Sequence, residues 1–167
     1  MDDSLNICLA CGLCCDGTLI GFVELEHEEI PRLKQIMEIE EEDANGFFLH
    51  PCNKYCDGCT IYADRPKNCD KFKCQLLNAV NAKELEFKTA VDVIQLVKQK
   101  KTDIEEKVSL LPFALKSPSF YFKMVELKKR LQTLKSDGVI TKNQRELITD
   151  LAELDQILIQ HFGVSLN

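Results

Sequence analysis

The sequence lacks the features of a membrane protein and of a nucleic-acid-binding protein. No apolar run approaches the roughly 20 residues that a bilayer-crossing helix needs. The formal net charge is −6, which is the wrong sign for contacts with a phosphate backbone. The first residues, Met1 to Ser4, are acidic and precede no long apolar stretch, whereas a secretory signal starts with basic residues. We therefore expect a cytoplasmic protein that binds neither nucleic acid nor membrane.

Glycine is scarce and scattered. The chain has seven glycines, and they do not form the glycine-rich loop that holds the phosphates of a nucleotide cofactor. The sequence thus predicts no organic cofactor site. It identifies no catalytic residue either, and it leaves open whether the protein is an enzyme.

Cysteine is absent from the last 93 residues and abundant before them. All nine cysteines occur in the first 74 positions, and they are Cys8, Cys11, Cys14, Cys15, Cys52, Cys56, Cys59, Cys69 and Cys74. A reducing compartment disfavours disulfides, and the odd number and tight clustering also speak against them. We interpret all nine cysteines as candidate metal ligands, and the metal as zinc or iron, the latter either as single ions or in an iron–sulfur cluster.

The cysteine spacing indicates tight local turns around a cation. A two-residue gap lets both sulfurs of Cys8 and Cys11 face one ion, and Gly12 allows the positive φ that such a turn requires. Cys56 and Cys59 have the same spacing, with Gly58 as the turn glycine. Side chains of adjacent residues diverge, so Cys14 and Cys15 are not expected to bind the same ion. Either they bind two different ions, or one of them binds the metal and the other lies beside the site. Two tetrahedral sites would use eight cysteines. One four-iron cluster would use four, and the run from Cys8 to Cys14 matches the opening of a ferredoxin motif without its fourth cysteine.

Basic residues lie among the later cysteines of this acidic chain. They are Lys54, Arg65, Lys67, Lys71 and Lys73. These residues could compensate the negative charge of the thiolates. Arg65 is the strongest candidate for this role because it precedes Pro66 between two cysteine ligands. The alternative is that the run forms a solvated basic patch. His50 is the histidine nearest a cysteine, although a lone histidine is more often structural.

The pattern predicts an α+β, mostly helical protein in two parts, a cysteine-rich metal-binding module over 1–78 and a helical region over 79–167. In the first part we expect an irregular chain with a strand over 18–25, a helix over 28–39, a solvated acidic turn over 40–43, paired strands over 47–49 and 60–62, and a helical turn from Asp64 to Cys69.

The second part reads as a series of amphipathic helices. The first carries Phe87, Val91, Ile94 and Val97 on one face, a second is capped by Thr102 and Glu105 and stopped by Pro112, and a third follows Ser117 as its N-cap. This third helix carries an apolar stripe of Phe120, Met124, Leu127, Leu131 and Leu134. The next helix is capped by Thr141 and Gln144 and carries a stripe of equal length, Leu147, Leu151, Leu154 and Leu158. The two stripes predict an antiparallel helical hairpin.

Two cysteine blocks resemble the CxxCxxCC (YkgJ-type) family of zinc- or iron-chelating proteins. The first block is Cys8-x-x-Cys11-Gly12-x-Cys14-Cys15, and the second is Cys52 followed by Cys59-Thr-Ile-Tyr62-x-x-Arg65-Pro66-x-x-Cys69-x-x-Phe72. The resemblance implies that the cysteines of these blocks are the shared metal-binding positions. Cys56 and Cys74 lie outside them and look like additions in this chain.

Three functions remain open at this stage. The first is a metal-binding protein whose centre stores or senses the metal or organises a binding surface, and the second is an iron–sulfur redox enzyme or an accessory module of a protein-modifying enzyme. A similar module in flagellin lysine methylases implies a methyltransferase-like context for that second function. The third is a structural zinc module that presents the helical hairpin to a protein partner. In each of them the metal ion is the first expected partner.

Overall fold

The computed structural model describes residues 3–166, with side chains from Ile7 onward; the acidic start of the chain at Met1 and Asp2 lies outside the described residues. The chain is 55% helical with a small antiparallel sheet near its N-terminus, which confirms the α+β, mostly helical class. The elements are α1 (Asp3–Cys11), β1 (Phe22–Leu25), α2 (Ile30–Leu33), β2 (Glu40–Glu42), β3 (Asn45–Leu49), α3 (Lys67–Lys71), α4 (Gln75–Asn81), α5 (Phe87–Ser109), α6 (Phe120–Ser136) and α7 (Lys142–Phe162).

The three strands form one sheet in the order β1-β3-β2, with both pairs antiparallel. The predicted acidic turn over 40–43 is wrong, because Glu40–Glu42 pairs with β3 as a strand. Its three side chains are nevertheless exposed, so solvation of the carboxylates is compatible with strand pairing. The predicted partner of residues 47–49 is also wrong: β3 pairs with β1 and β2, and Tyr62–Asp64 is a short 3-10 helix.

The predicted helix over 28–39 is shorter in the structure. A 3-10 turn over His27–Glu29 leads into the four-residue α2, and the chain then continues as turns to β2. Ile30, Leu33 and Met37 nonetheless pack under the sheet beside Val23 and Phe48. The helical spacing predicted Ile30, Leu33 and Ile36 as the apolar face; the first two are buried, whereas Ile36 is only partly buried and Met37 is buried in addition. The spacing also overestimated the length of the helix.

The N-terminal cysteine run begins on a helix that the sequence pattern did not reveal. We expected an irregular chain before residue 18, whereas Asp3–Cys11 forms α1. Ile7 on this helix is buried in the same apolar cluster as residues of α4 and α5. Burial of Ile7, rather than a visible periodic stripe, accounts for the position of α1.

The helical region confirms the stripe of α7 and its capping box, and the stripe of α6 except for Leu134, which is only partly buried. Thr141 and Gln144 cap α7 reciprocally, and the predicted leucines of α7 are buried. Three details differ. α5 runs unbroken through Thr102, which was predicted to cap a new helix; the hydroxyl of Thr102 instead donates to the carbonyl of Lys98 at 3.1 Å. Ser119, rather than the predicted Ser117, caps α6. Phe87, predicted on the apolar face of its helix, is 38% exposed.

The apolar side chains form two clusters. The helical core contains buried residues of α1 and α4–α7, and the sheet core lies between the sheet and α2. Ile7 and Leu13 of the cysteine-rich segment belong to the helical core, so this core reaches across residue 78. The division into modules over 1–78 and 79–167 stays a prediction.

Candidate metal centre

The first four cysteines are placed by the end of α1 and the turn after it. Cys8 and Cys11 are three residues apart on α1 and therefore share a face of the helix. Gly12 then adopts φ +67°, the left-handed conformation that glycine tolerates best, and the ring of Tyr55 lies where a Cβ would be. Leu13, fully buried, anchors the turn in the helical core. After this turn Cys14 lies near Cys8 and Cys11 of α1, whereas Cys15 faces Cys59.

The second cysteine block is tied to the first through the backbone. The N–H of Cys52 donates to the carbonyl of Cys15 at 2.8 Å. A turn closed by the N–H of Cys56 and the carbonyl of Gly58 then brings Cys59 beside Tyr55 in an isolated β-bridge. The predicted turn glycine, Gly58, has φ +140°.

The last two cysteines come from the short helices α3 and α4. Pro66 precedes α3 and positions Cys69 in its first turn. Cys74 is the N-cap of α4, and its sulfur accepts a hydrogen bond from the N–H of Leu77 at 3.5 Å. Because α4 packs against α1, Cys74 is brought to the same side of the molecule as Cys8 and Cys11.

These elements together enclose a cavity of about 110 Å³. Eight cysteines line it, namely Cys8, Cys11, Cys14, Cys15, Cys52, Cys59, Cys69 and Cys74. Cys56 is not among them and is exposed. Cys74, which the sequence resemblance leaves outside the shared positions, is therefore grouped with the other seven, whereas Cys56 stands apart. A water molecule needs about 10–15 Å³ of cavity volume, so the cavity has room for more than one metal ion.

The eight thiols fall into two groups according to the parts of the fold with which they associate. Cys8, Cys11, Cys14 and Cys74, the helix-side thiols, pack against the helical core. The sheet-side thiols are Cys15, Cys52, Cys59 and Cys69: Cys52 and Cys69 pack against the sheet core, and Cys15 is hydrogen-bonded to Cys59. Most electrostatic neighbours follow the same division, because Cys11 is affected by Cys74 and Cys8, and Cys69 by Cys52 and Cys59. The two groups adjoin where Cys14 is also affected by Cys69, and Cys15 by Cys14.

Backbone N–H groups are directed at four of the sulfurs. The N–H two residues further along the chain approaches Cys11, Cys52, Cys59 and Cys74, and the distance from the nitrogen of Lys54 to the sulfur of Cys52 is 3.4 Å. Hydrogen bonds to the charged form of a group favour that form. Two such sulfurs lie in each group, so both groups are built to stabilise thiolates.

Burial holds most of these thiols in the neutral form in the metal-free chain. It raises the pKa of Cys11 and of Cys69 to about 12 and that of Cys14 well above its ordinary value. Among the residues whose side chains the structure describes, no three cysteine, histidine, aspartate or glutamate side chains already converge on a point that could hold an ion. A metal would therefore have to displace protons and draw the sulfurs inward, and such binding releases protons.

The cavity wall also carries positive charge. Arg65 lines it, with a side chain that is only 18% exposed, stacks over the ring of Tyr62 at 3.9 Å and forms an ion pair with Asp70. Its charge lowers the pKa of Cys8, Cys59 and Cys69, although it is not the largest effect on any of them. Lys73 lines the cavity as well.

The remaining lysines of the basic run lie elsewhere. Lys67 and Lys71 form ion pairs with Glu26 instead, and Lys54 contributes its backbone N–H to Cys52. The solvated-patch interpretation therefore fits Lys67 and Lys71, whereas compensation of thiolate charge fits Arg65 and Lys73.

Sequence reasoning missed the role of Tyr62. Its hydroxyl is hydrogen-bonded to the sulfur of Cys8, an interaction that lowers the pKa of Cys8 against the larger, opposite effect of burial. Tyr62 belongs to the Ile-Tyr-x-x-Arg-Pro segment of the second block, so the signal was present as part of a motif, but nothing in the spacing linked it to Cys8.

His50 also lines the cavity and is 3% exposed. Its Nδ1 lies 3.1 Å from the carbonyl oxygen of Cys15. Burial lowers its pKa, against the opposing effect of that hydrogen bond. Within the described part of the chain, Nε2 is buried without a hydrogen-bond partner, as is Oγ1 of Thr18, and Thr18 is not one of the cavity residues. His27 is exposed and His161 partly buried.

A family model described as CxxCxxCC, putative zinc- or iron-chelating domain, matches residues 7–106. The chain belongs to this family. The match covers every cysteine and the cavity they line, and it extends through most of α5. No curated protein and no solved structure matches the chain. Within residues 3–166, a search for a helix of the length and hydropathy of a membrane span finds none.

Proposed function

We propose that this protein binds zinc or iron in the eight-thiol cavity, in two four-ligand sites. The observation that carries the proposal is the convergence of eight of the nine cysteines on one cavity, from three separate stretches of the chain. Chelation of zinc or iron is also the description of the family to which the chain belongs. Cys56, which is exposed and outside the cavity, is excluded from the ligand set.

The donor chemistry of the cavity fits these metals. Zinc in structural sites is tetrahedral and is commonly bound by four ligands drawn from cysteine and histidine, at about 2.3 Å from each sulfur. The helix-side thiols supply four donors, and the sheet-side thiols supply four more. Four thiolates around Zn²⁺ leave a net charge of −2, and this charge would lie beside Arg65 and Lys73 and the backbone N–H groups that approach the sulfurs.

The two sites would connect different parts of the fold. A helix-side ion would join α1 to the start of α4 and so brace the helical core. A sheet-side ion would join the turn after α1, the segment from Cys52 to Cys59, and α3. A structural zinc ion supplies about 10–16 kcal/mol of apparent binding free energy, which is as large as the whole stability of a typical domain. We propose that the metal organises the cysteine-rich segment in this way, in the reducing cytoplasm that keeps its thiols available.

An iron–sulfur centre is the second candidate. The run from Cys8 to Cys14 has the spacing with which a ferredoxin motif opens, and Cys74 offers a fourth ligand from the same group. The cavity also exceeds the space of one ion. Such a centre would make the protein a redox component, whereas closed four-ligand zinc sites would be structural.

Anaerobic purification followed by zinc, iron and acid-labile sulfide analysis tests the proposal. We expect two equivalents of zinc or iron per chain for two single-ion sites. A brown protein with sulfide equal to iron would support the cluster instead and retain the eight-thiol centre. A properly folded chain that contains neither metal, and takes up neither when supplied with Zn²⁺ or Fe²⁺ under reducing conditions, would overturn the proposed function.

A further inference from the structure

We propose that His50 contributes its Nε2 atom as a nitrogen ligand to the sheet-side metal ion, so that this site is a mixed sulfur and nitrogen site. The inference rests on the proposed function and deepens it, because it assigns a ligand outside the cysteines. His50 departs from the all-thiolate pattern that the nine cysteines suggest.

The hydrogen bond at Nδ1 fixes which ring nitrogen is available. A carbonyl oxygen can only accept, so Nδ1 carries the proton and donates to the carbonyl of Cys15 at 3.1 Å. In the neutral imidazole Nε2 then has a lone pair and no proton. A metal-binding histidine almost always donates its other ring N–H to a carbonyl, a carboxylate or water, which orients the ring and sets its tautomer. His50 already has this arrangement.

The unpartnered Nε2 is the second observation. His50 is 3% exposed, and Nε2 makes no hydrogen bond to any described residue. A buried polar atom without a partner costs about 1–3 kcal/mol, so native structures rarely leave one without an ion or water. Thr18 Oγ1 is also unpartnered, but His50 is the one of the two that lines the thiol cavity.

Connectivity assigns His50 to the sheet-side group. It precedes Cys52 by two residues, its ring is bonded to the backbone of Cys15, and the N–H of Cys52 donates to that same carbonyl. Both neighbouring cysteines are sheet-side thiols. The ring also packs edge-on against Phe48 of the sheet core, with 5.4 Å between the ring centroids, which limits its rotation.

Charge gives a reason for a nitrogen ligand at this position. Four thiolates around Zn²⁺ leave a charge of −2, whereas three thiolates and a neutral imidazole leave −1. Burial of charge is costly unless it is compensated. The cavity offers two cationic side chains, Arg65 and Lys73, for two metal ions, and both of them also pair with the carboxylate of Asp70. Replacing one thiolate by His50 therefore reduces the uncompensated charge. A tetrahedral ion takes four of the five sheet-side donors, so one thiol stays outside its coordination shell.

X-ray absorption at the zinc edge of the zinc-loaded whole chain tests the inference directly. Zinc–nitrogen distances are about 2.0–2.1 Å and zinc–sulfur distances about 2.3 Å, so the two shells are distinguishable. We expect one nitrogen per chain among the zinc ligands. In His50→Asn the amide can still donate to the Cys15 carbonyl, but Nε2 is lost. We therefore expect the nitrogen shell to disappear, because the remaining sheet-side thiol completes an all-sulfur shell. The matched control, His27→Asn on the exposed surface, should retain the nitrogen shell.

Two results would overturn the inference and leave the proposed function standing: an all-sulfur shell in the zinc-loaded wild-type chain, or a nitrogen shell that persists in His50→Asn. Absence of zinc binding would overturn both the inference and the proposed function. Because His50→Asn could fail to fold, the wild-type protein provides a second measurement. In the chain labelled with ¹⁵N-histidine and loaded with ¹¹³Cd²⁺, we expect cadmium coupling to one Nε2, retained in His27→Asn and in His161→Asn. Absence of that coupling would also contradict the inference.

Discussion

The thiols of Cys15 and Cys59, both in the sheet-side group, are hydrogen-bonded to each other, although they belong to different cysteine blocks. The shared hydrogen bond stabilises a negative sulfur at Cys59 and raises the pKa of Cys15. It is also the largest effect on Cys59, where it outweighs burial and lowers the pKa to about 6. In the metal-free chain Cys59 is therefore the first of the pair to lose its proton, and it is the natural first contact for an incoming cation.

The reactivity of Cys59 in the metal-free protein should follow this low pKa. In the chelator-treated folded chain, its alkylation rate should rise with a midpoint near pH 6 and reach a plateau by about pH 8. Cys15→Ala removes the donor, so the midpoint should move up towards the ordinary thiol pKa of about 8.5. Iodoacetamide labelling at several pH values, mapped by mass spectrometry, measures the midpoint of Cys59 alkylation. Cys56→Ala is the control, and an unchanged midpoint in Cys15→Ala would show that the hydrogen bond does not set the pKa.

Substitution of one thiol in each group should remove one metal ion each. Cys74→Ser takes a ligand from the helix-side site, and Cys52→Ser takes one from the sheet-side site; in both residues a backbone N–H is directed at the sulfur. We expect each variant to lose about one of two equivalents, and the double variant to lose both. Cys56→Ser, the exposed control, should keep full metal content. Loss of both ions in each single variant would indicate one polynuclear centre instead of two sites.

Gly12 should be far less tolerant of a side chain than Gly138. Both have positive φ, +67° and +73°, so Gly→Ala costs about 1–2 kcal/mol of backbone strain at either position. A Cβ at position 12 would also lie 2.7 Å from the ring of Tyr55, whereas at 138 it meets nothing within 4 Å. We expect Gly12→Ala to lower the free energy of unfolding by more than Gly138→Ala and to reduce metal content. Equal losses by chemical denaturation, with metal retained, would contradict this account of the turn.

Metal removal should affect the two predicted modules differently. Residues 79–167 contain no cysteine, and the stripes of α6 and α7 can remain buried against each other and α5 without metal. We expect chelation to abolish amide protection mainly between residues 8 and 74, while most of the helical circular dichroism persists and unfolds less cooperatively. The shared helical core, which includes Ile7 and Leu13, should weaken. Loss of all helical signal in one step with the metal would show that the chain is a single cooperative unit and that the division at residue 78 has no energetic meaning.

The parts of the fold that could be predicted are those where one local pattern decides the structure. The leucine stripes and the Thr141–Gln144 box of α7 are such patterns, because helical spacing and capping depend on neighbours in the sequence. α1 could not be predicted, since its helix carries cysteines and few periodic apolar residues and is stabilised by burial of Ile7 against distant helices. The strand at Glu40–Glu42 is a similar case: its side chains indicate a solvated turn, and only its pairing with β3 makes it a strand.

The candidate site was predictable in composition but not in arrangement. Spacing identified the cysteines and the two turn glycines, Gly12 and Gly58. It could not assign Cys74 to the thiols of α1, because that proximity arises from the packing of α4 against α1. The tautomer of His50 and the hydroxyl of Tyr62 on Cys8 depend on atoms far apart in the chain, so sequence distance carried no signal for them.

The central claim is that thiols of the cavity, and not Cys56, hold the metal. Alkylation of the native, metal-loaded chain with mass-spectrometric mapping, repeated after chelation, tests it most directly. We predict that Cys56 reacts at the rate of a free thiol in both states. The cavity thiols, apart from the one sheet-side thiol that His50 replaces as a ligand, should be protected until the metal is removed and then become reactive. Uniform reactivity of all nine cysteines in the metal-loaded chain, or a pattern that chelation leaves unchanged, would contradict the account.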